Sequence, residues 1–117
     1  EQPTNVKYEV TPEAIEEIHN FVEEMPQFKG DIMLFLSKNI RYPSLAQELG
    51  IQGKVICQFV VDRNGAIENV EVVRGIDKSL DNEAVRVIKS MPNWKPGRMN
   101  GRTVKVKYTL PIYFRLM

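Results

Sequence analysis

The chain has 117 residues, of which 43% are hydrophobic and 26% charged, and its formal net charge is +1. This composition fits one small domain with a single core, and the charge balance gives no argument for a nucleic-acid or anionic-membrane partner. The charges are unevenly placed along the chain. Residues 84–117 include eight basic residues and no acidic residue, whereas the first 31 residues include eight acidic residues and two lysines. One interpretation is two solvated faces of opposite sign, and the other is a basic strand that faces an acidic or polar peptide.

A single cysteine, Cys57, lies within an apolar strand pattern. It is predicted to be a small buried core residue, and it excludes an intrachain disulfide and a thiolate metal site. The sequence has no initiator Met, no signal-peptide pattern and no apolar run of 18 residues or more. We therefore expect a fragment of a longer protein, with any membrane anchor outside it.

The N-terminal residues suggest a helix that begins at Thr11 as N-cap, with Pro12 at its first helical position. The apolar residues that recur at helical spacing are Ala14, Ile15, Ile18, Phe21, Val22 and Met25. The stretch Phe21–Phe28 fits an extended chain equally well. We expect residues 1–28 to form a tether and extension, ahead of a domain at residues 29–117.

A second helical run covers roughly Asp31 to Asn39, and it is apolar nearly all round. Such a helix is expected to be buried on more than one side. Tyr42 and Pro43 break the run, because the residue before a proline is pushed out of the α region. Pro43 can then start a short helix that ends at Gly50.

Residues Ile51 to Val61 are rich in β-branched and aromatic side chains, with apolar residues on both faces. This pattern predicts a central strand. The dipeptide Asn64-Gly65 follows, and Asn-Gly between two apolar runs is a strong hairpin signal. The partner strand is predicted over Ala66 to Arg74.

The C-terminal third begins with an amphipathic helix that Asp77 or Ser79 caps and that runs to about Met91. After it, Trp94 precedes Pro96 in a loop. We interpret Trp94 as a packing anchor between helix and strand rather than as a platform for a ligand.

The last stretch, Arg102 to Leu116, alternates between apolar and polar residues, which predicts a long half-buried strand. It is more than twice as long as common strands of about 5 to 6 residues, so we expect it to project past its partners and leave backbone groups unpaired. Pro111 supports an edge position, because proline cannot donate to a strand ladder. The C-terminal strand is therefore predicted to be a docking edge for another strand.

Together these elements predict an α+β fold with the order αββαβ, preceded by a helical or extended N-terminal extension. The hairpin makes the first two strands antiparallel, and the helix crossover brings the third strand back parallel to the second. The expected sheet is small, mixed and three-stranded in the order 2-1-3. Two helices lie on one face, and the last strand is at the edge.

Residues that could carry catalysis are scarce. His19 is the sole histidine, is distant in the sequence from Cys57, and is expected on a solvated helix face. The acidic pairs are typical of solvated helices, and no glycine-rich phosphate loop is present. Only Tyr113 could stack a base beside the polar face of the last strand, which disfavours nucleic acid. We predict no catalytic residue, no metal site and no cofactor.

A series of short motifs resembles the C-terminal domain of TonB, the periplasmic energy transducer of Gram-negative bacteria, in the variant typical of Bacteroidetes. The resemblance covers about Met25 to Met117. It is carried by the following motifs, in this order: Met25-Pro26-x-Phe28, Ile40-Arg41-Tyr42-Pro43, Gly50-Ile51-Gln52-Gly53-Lys54-Val55, Val61-Asp62-Arg63-Asn64-Gly65, Leu80-Asp81-x-x-Ala84, Pro92-x-Trp94-x-Pro96-Gly97 and Leu110-Pro111-Ile112-x-Phe114. The family's entry motif often continues with Gly-Gly, where this chain has Gly30-Asp31.

The resemblance implies a domain that binds the TonB box, a short peptide of outer-membrane transporters for siderophores, vitamins or glycans, by strand addition. It implies a full-length protein anchored in the inner membrane, whose N-terminal part, absent here, engages a proton-driven motor. The last strand would pair with the TonB box through Thr103, Val104, Lys105, Val106, Lys107, Tyr108 and Thr109. The corner Arg41-Tyr42-Pro43 would touch the transporter plug.

Two other functions remain open at the level of the sequence. The same edge could bind a regulatory peptide in a TonB-like module of a membrane-anchored sensor or peptidase. It could also pair with its own copy in a structural homodimer. For Tyr42 and Pro43 the alternative is a simple helix break with no role in docking.

Overall fold

The computed structural model describes residues 17–116 and has an α+β fold, which confirms the predicted class. The three helices are α1 (Ile32–Asn39), α2 (Ser44–Glu48) and α3 (Lys78–Lys89). The five strands are β1 (Ile18–His19), β2 (Gly53–Val61), β3 (Ile67–Arg74), β4 (Gly97–Met99) and β5 (Arg102–Phe114). Across this range, no helix has the length and apolar character needed to cross a bilayer.

The sheet follows the order β1-β5-β2-β3, and β4 pairs with one end of β5. Strand β2 is antiparallel to both of its neighbours, whereas β1 is parallel to β5. The predicted count of three strands is wrong, because β1 and β4 also belong to the sheet. These two strands have two and three residues, which is too short to show an alternating pattern in the sequence.

The core lies between one face of the sheet and the helices. Alternate residues of β2, namely Val55, Cys57, Phe59 and Val61, are fully buried. They pack in one cluster with Leu36 of α1, Ala46 of α2 and the apolar stripe of α3. Because Val60 on the other face of β2 is also buried, the central position predicted for this strand is confirmed.

Helix α1 begins where predicted, with Asp31 as its N-cap accepting a hydrogen bond from the Leu34 N–H at 3.1 Å. The prediction that it is buried on several sides is wrong. Only Leu36 is buried, whereas Met33 and Leu34 are 66% and 50% exposed. The helix lies at the rim of the core and covers the sheet with one face only.

The predicted N-terminal helix is wrong for its described part, since residues from Glu17 onward run extended and form β1. Its predicted start at Thr11 lies outside the described residues. The backbone of this segment is paired with the sheet instead of with itself. Glu24 forms a bridge with Arg98, and Gln27 forms a bridge with Lys95.

The predicted hairpin between β2 and β3 is confirmed. Gly65 has a φ of +90°, and the Asp62 carboxylate accepts N–H bonds from Asn64 and Ala66. The Trp94 N–H donates to the Gly65 carbonyl at 2.7 Å, so the turn also fixes the loop before β4.

Trp94 is 1% exposed and packs in the core, which confirms its predicted role as an anchor. Its ring centroid lies 4.9 Å from that of Tyr108 on β5 and 5.4 Å from that of Phe59 on β2. A third ring, Phe28 from the N-terminal segment, lies 5.8 Å away. This aromatic cluster joins the sheet to the chain that precedes α1.

Candidate docking edge

Strand β5 has different partners along its length. Strand β2 pairs with residues 106–114, β4 with residues 102–104, and β1 with Lys105 and Val106. Val106 pairs with both Val61 of β2 and His19 of β1, so β1 lies on the edge opposite to β2. The prediction that the last strand is the outermost one is therefore wrong, because the chain's own N-terminal segment lies outside it.

Beyond Val106 the outer edge of β5 is open. Within residues 17–116, no strand pairs with the β1 side of β5 from Lys107 to Phe114. The pairing with β2 over this range keeps a constant register, without a bulge. A regular strand edge of eight residues is thus available on one side.

The direction of the backbone groups along this edge follows from Pro111. It lies opposite Ile56 of β2 and has no N–H, so this pair is of the type that exchanges no ladder hydrogen bonds. Because the two pair types alternate, the N–H and C=O groups of Lys107 and Thr109 also point away from β2. The side-chain bond from Gln58 Nε2 to Thr109 Oγ1, at 3.1 Å, fits the closer spacing of such a pair.

The same alternation places β4 in line with β2. Asn100 and Gly101 have φ angles of +53° and +76°, so they form a two-residue turn in which Met99 and Arg102 exchange hydrogen bonds. The backbone N–H and C=O groups of Arg102, which face β4, therefore lie on the same side of β5 as the backbone groups that face β2. The outer edge of Thr103 and Lys105 then points toward β1.

The N-terminal segment crosses the sheet between its two attachment points. From β1 at the outer edge of β5 it runs to the far side of β4, where Glu24 and Arg98 exchange backbone hydrogen bonds of 3.1 and 2.9 Å. The Asn100 N–H also donates to Glu23 Oε1 at 2.8 Å. Gly97 lies under this crossing, since a Cβ there would come within 2.6 Å of Val106 Cγ2 and 3.1 Å of the Glu24 carbonyl oxygen.

The two faces of β5 differ in chemistry, as the alternation predicted. Val104 and Val106 are buried on one face, whereas Lys105 and Lys107 are half-buried on the other. Lys105 Nζ lies 3.4 Å from a Glu68 carboxylate oxygen on β3. A strand added at this edge would have an apolar surface on one side and lysines on the other.

The corner Arg41-Tyr42-Pro43 is fixed by contacts with α3 and β5. The Arg41 N–H donates to Glu83 Oε2 at 2.7 Å, and the Tyr42 hydroxyl donates to the Ile51 carbonyl. The Tyr42 ring packs edge-on against Phe114, at 5.7 Å between centroids. The corner lines one side of a shallow groove of about 560 Å³.

Glu83 is the buried charge of this corner, at 9% exposure. Burial alone would raise its pKa, but hydrogen bonds from the Arg86 side chain, at 2.6 and 2.8 Å, and from the Arg41 N–H outweigh burial and hold the pKa below its usual value. Arg86 also donates to the Asn39 carbonyl at 2.8 Å, which ties α3 to the end of α1.

The structure places the predicted docking residues in two separate groups. Thr103 to Thr109 form one continuous stretch of β5, whereas the corner contacts Phe114 at the other end of that strand. At about 3.4 Å per residue, Phe114 lies about 17 Å from Thr109. One short peptide strand along residues 103–109 would not reach the corner.

Sequence reasoning missed β1 and β4, both of which contact β5. A signal for β4 was present, because Asn100-Gly101 is the same hairpin dipeptide as Asn64-Gly65. For β1 there was no such signal. His19, expected on a solvated helix face, lies half-buried in that strand instead.

The described residues offer little for catalysis. Between Glu17 and Leu116, no three His, Cys, Asp or Glu side chains come together in a way that could hold a metal ion. Cys57 is buried as predicted, and desolvation, with a smaller effect of Asp81, raises its pKa to about 11. The thiol is therefore protonated at neutral pH and is a poor nucleophile.

Comparison with known proteins gives consistent matches. The family model described as "Gram-negative bacterial TonB protein C-terminal" matches residues 38–116. Protein TonB of Helicobacter pylori strain J99 is 31% identical over 91 residues, which are 77% of this chain and 31% of that protein. Protein TonB of Pseudomonas aeruginosa is 25% identical over 75 residues, 64% of this chain and 22% of that protein.

Solved structures agree with these matches. The solution structure of the Helicobacter pylori TonB C-terminal domain has a TM-score of 0.58 at 27% identity, covering 74% of this chain and 78% of that one. That of the Pseudomonas aeruginosa domain has a TM-score of 0.57 at 22% identity, covering 86% and 93%, and supports the fold alone. The chain spans 31% or less of the full length of the TonB proteins named above.

Proposed function

The chain belongs to the family of Gram-negative TonB C-terminal domains, and from this premise we propose that it is the periplasmic docking domain of an energy transducer. It would bind the TonB box of outer-membrane transporters by strand addition and transmit force from an inner-membrane motor for the uptake of siderophores, vitamins or glycans. The family is one of transducers rather than enzymes. The observation that carries the proposal is the open edge of β5, with outward backbone groups at Lys107 and Thr109.

The two edges of the sheet differ in how well they could accept another strand. Among residues 17–116, no strand pairs with the other edge of β3. This edge is protected, because the pairing of β3 with β2 has two register shifts and Asn69 has a φ of +54°. Charged side chains also lie along it, namely Glu68, Glu71 and Arg74. The edge of β5 past Val106 is regular. We therefore expect an incoming strand to pair with β5 rather than with β3.

We propose the outer edge of Thr103–Thr109 as the docking lane. Its outward residues are Thr103, Lys105, Lys107 and Thr109, and with β1 displaced each would offer one N–H and one C=O to a peptide. Each hydrogen bond contributes only about 0.5 to 1.5 kcal/mol net. A ladder shares an applied load over several such bonds and needs few side-chain contacts, so one transducer can serve many transporters.

The lysines of the lane would add a sequence preference. Lys107 is half-buried on the polar face, and Lys105 already lies 3.4 Å from Glu68. An acidic residue of the incoming peptide would be attracted to this face, and salt would weaken that attraction. The opposite face of the lane, at Val106 and Tyr108, suits an apolar side chain.

The corner Arg41-Tyr42-Pro43 is proposed as a second contact, with the transporter plug rather than with the peptide strand. Glu83 fixes the backbone of Arg41, and Phe114 supports the ring of Tyr42, so the corner would contact a partner without rearranging. The distance of about 17 Å from Thr109 to Phe114 means that the two contacts would be made by different parts of a transporter.

The proposal can be tested by titrating the ¹⁵N-labelled chain with peptides from the periplasmic N-termini of outer-membrane transporters. We expect amide shifts to cluster on Thr103–Thr109. A matched control is the same peptide with N-methyl groups at alternate residues on the edge that faces β5, which should not bind. Shifts confined to β3 or α3, or binding by neither peptide, would contradict the proposal, and a dimer that forms without any peptide would favour edge pairing between copies.

A further inference from the structure

Strand β1 occupies the middle of the docking lane. Ile18 and His19 lie opposite Lys105 and Val106, so a peptide cannot pair with all of Thr103–Thr109 while β1 is in place. We propose that β1 is a removable cover of the docking lane, which pairs with β5 in the free protein and leaves when a partner strand enters. This inference rests on the proposed function and concerns the regulation of the same edge.

Within the lane Thr103–Thr109, the part that β1 leaves open is shorter than a common strand. Between Val106 and Pro111, which lacks an N–H, only Lys107 and Thr109 point outward. When β1 leaves, Thr103 and Lys105 join the outward residues that a peptide strand can pair with. The number of outward residues then doubles from two to four, and the lane reaches the length of a common strand.

The attachment of β1 is slight compared with that of the chain that follows it. Strand β1 has two residues, and Ile18 is 44% exposed. By contrast, Glu24 exchanges two backbone hydrogen bonds with Arg98, and Gln27 exchanges two with Lys95, at 3.0 and 2.7 Å. The cover can therefore detach while its anchor stays in place.

The short connection between β1 and the bridge of Glu24 with Arg98 keeps the cover close to the lane. Because only residues 20–23 separate β1 from the anchor, the detached strand stays at a high effective concentration and returns when the partner leaves. The affinity measured for a partner is then reduced by the fraction of molecules in which β1 has left.

The first test compares His19→Pro with His19→Ala in the full chain. Both variants lose the imidazole, but only proline removes the N–H that β1 needs for pairing. The probe is a synthetic peptide that copies residues 15–22 of this chain, added to each ¹⁵N-labelled variant. We expect its Kd to be about tenfold lower for His19→Pro than for His19→Ala, which corresponds to about 1.4 kcal/mol.

A second pair of substitutions tests the cover in the opposite direction. Ile18→Cys combined with Lys105→Cys places two thiols on directly opposed residues, while the native Cys57 is buried. We expect the oxidised form to bind the peptide at least tenfold more weakly than the reduced form of the same protein. Because oxidised and reduced forms share one sequence, this comparison stands even if His19→Pro does not fold.

The proposal that β1 covers the lane would be overturned by two equalities found together. These are equal Kd values for His19→Pro and His19→Ala, and equal Kd values for the oxidised and reduced forms of the cysteine pair. A transporter N-terminal peptide, used as a second probe, separates the two proposals. If it binds the lane equally in all these proteins, the proposed function stands and the cover is wrong. If it binds none of them while the copy of residues 15–22 shows the tenfold differences, the cover stands and the proposed function is wrong.

Discussion

Thr109→Pro is the most direct perturbation of the proposed docking lane. The N–H of Thr109 points away from β2, so proline removes a donor to an incoming strand and leaves the ladder between β2 and β5 intact. The chain already accommodates a proline with the same orientation two residues later, at Pro111. We therefore expect a variant that folds but docks poorly.

The size of the effect follows from the number of bonds lost. One backbone hydrogen bond contributes about 0.5 to 1.5 kcal/mol net, and the peptide carbonyl left opposite the proline adds to the loss. A total of about 1 to 2 kcal/mol corresponds to a Kd raised about 5- to 30-fold. The free energy of unfolding should fall by less, because only the exposed bond from Gln58 to Thr109 is removed.

The matched control is Tyr113→Pro, which has the same backbone orientation on β5 but lies outside the proposed lane. Isothermal titration of a transporter peptide against both variants, with thermal unfolding of each, measures docking and stability separately. If the two prolines weaken docking equally, or if Thr109→Pro leaves Kd unchanged, the assignment of the lane is refuted.

Three further predictions concern the fold itself. Since burial raises the pKa of Cys57 to about 11, a thiol reagent at pH 7 should label it only at the rate of unfolding, and rapid labelling of the folded chain would contradict this. Glu83→Gln should lower the free energy of unfolding by about 1 to 3 kcal/mol near pH 7. Because folding lowers the pKa of Glu83, this contribution is present above the pKa of the unfolded chain and is lost as the pH falls through the pKa of the folded chain. The melting temperatures of the native chain and the Glu83→Gln variant should therefore converge in acid. Gly65→Ala should destabilise the chain by more than Gly101→Ala. The Gly101 substitution costs about 1 to 2 kcal/mol for its positive φ alone, whereas a Cβ at residue 65 would also lie 1.9 Å from the Trp94 carbonyl oxygen. Equal melting temperatures of the two variants would show that the turn can move away from Trp94.

The elements that could be predicted from sequence are those with local signals. The hairpin at Asn64-Gly65 has its own turn chemistry, α1 has Asp31 as its cap, and β5 is long enough for its alternation to be unmistakable. In each of these the same residues that form the element also produce the pattern. Local and tertiary preferences agree there.

The N-terminal segment is different, because its conformation is set by distant partners. The spacing of Ile18 and Phe21 fits a helix, but pairing of β1 with Lys105 and of Glu24 with Arg98 decides the outcome. Tertiary contacts override local propensity in such a case. The long alternating strand β5 was therefore predictable from its own residues, whereas its pairing with β1 was not.

The aromatic cluster gives the molecule a built-in optical probe. Trp94 is the sole tryptophan, it is buried, and its ring lies 4.9 Å from that of Tyr108, a residue of the proposed docking lane. Its Nε1 has no hydrogen-bond partner within the described residues. A shift of the β5 backbone during docking would move Tyr108 against the indole and change its emission, so association kinetics could be followed by stopped-flow fluorescence without attaching a dye.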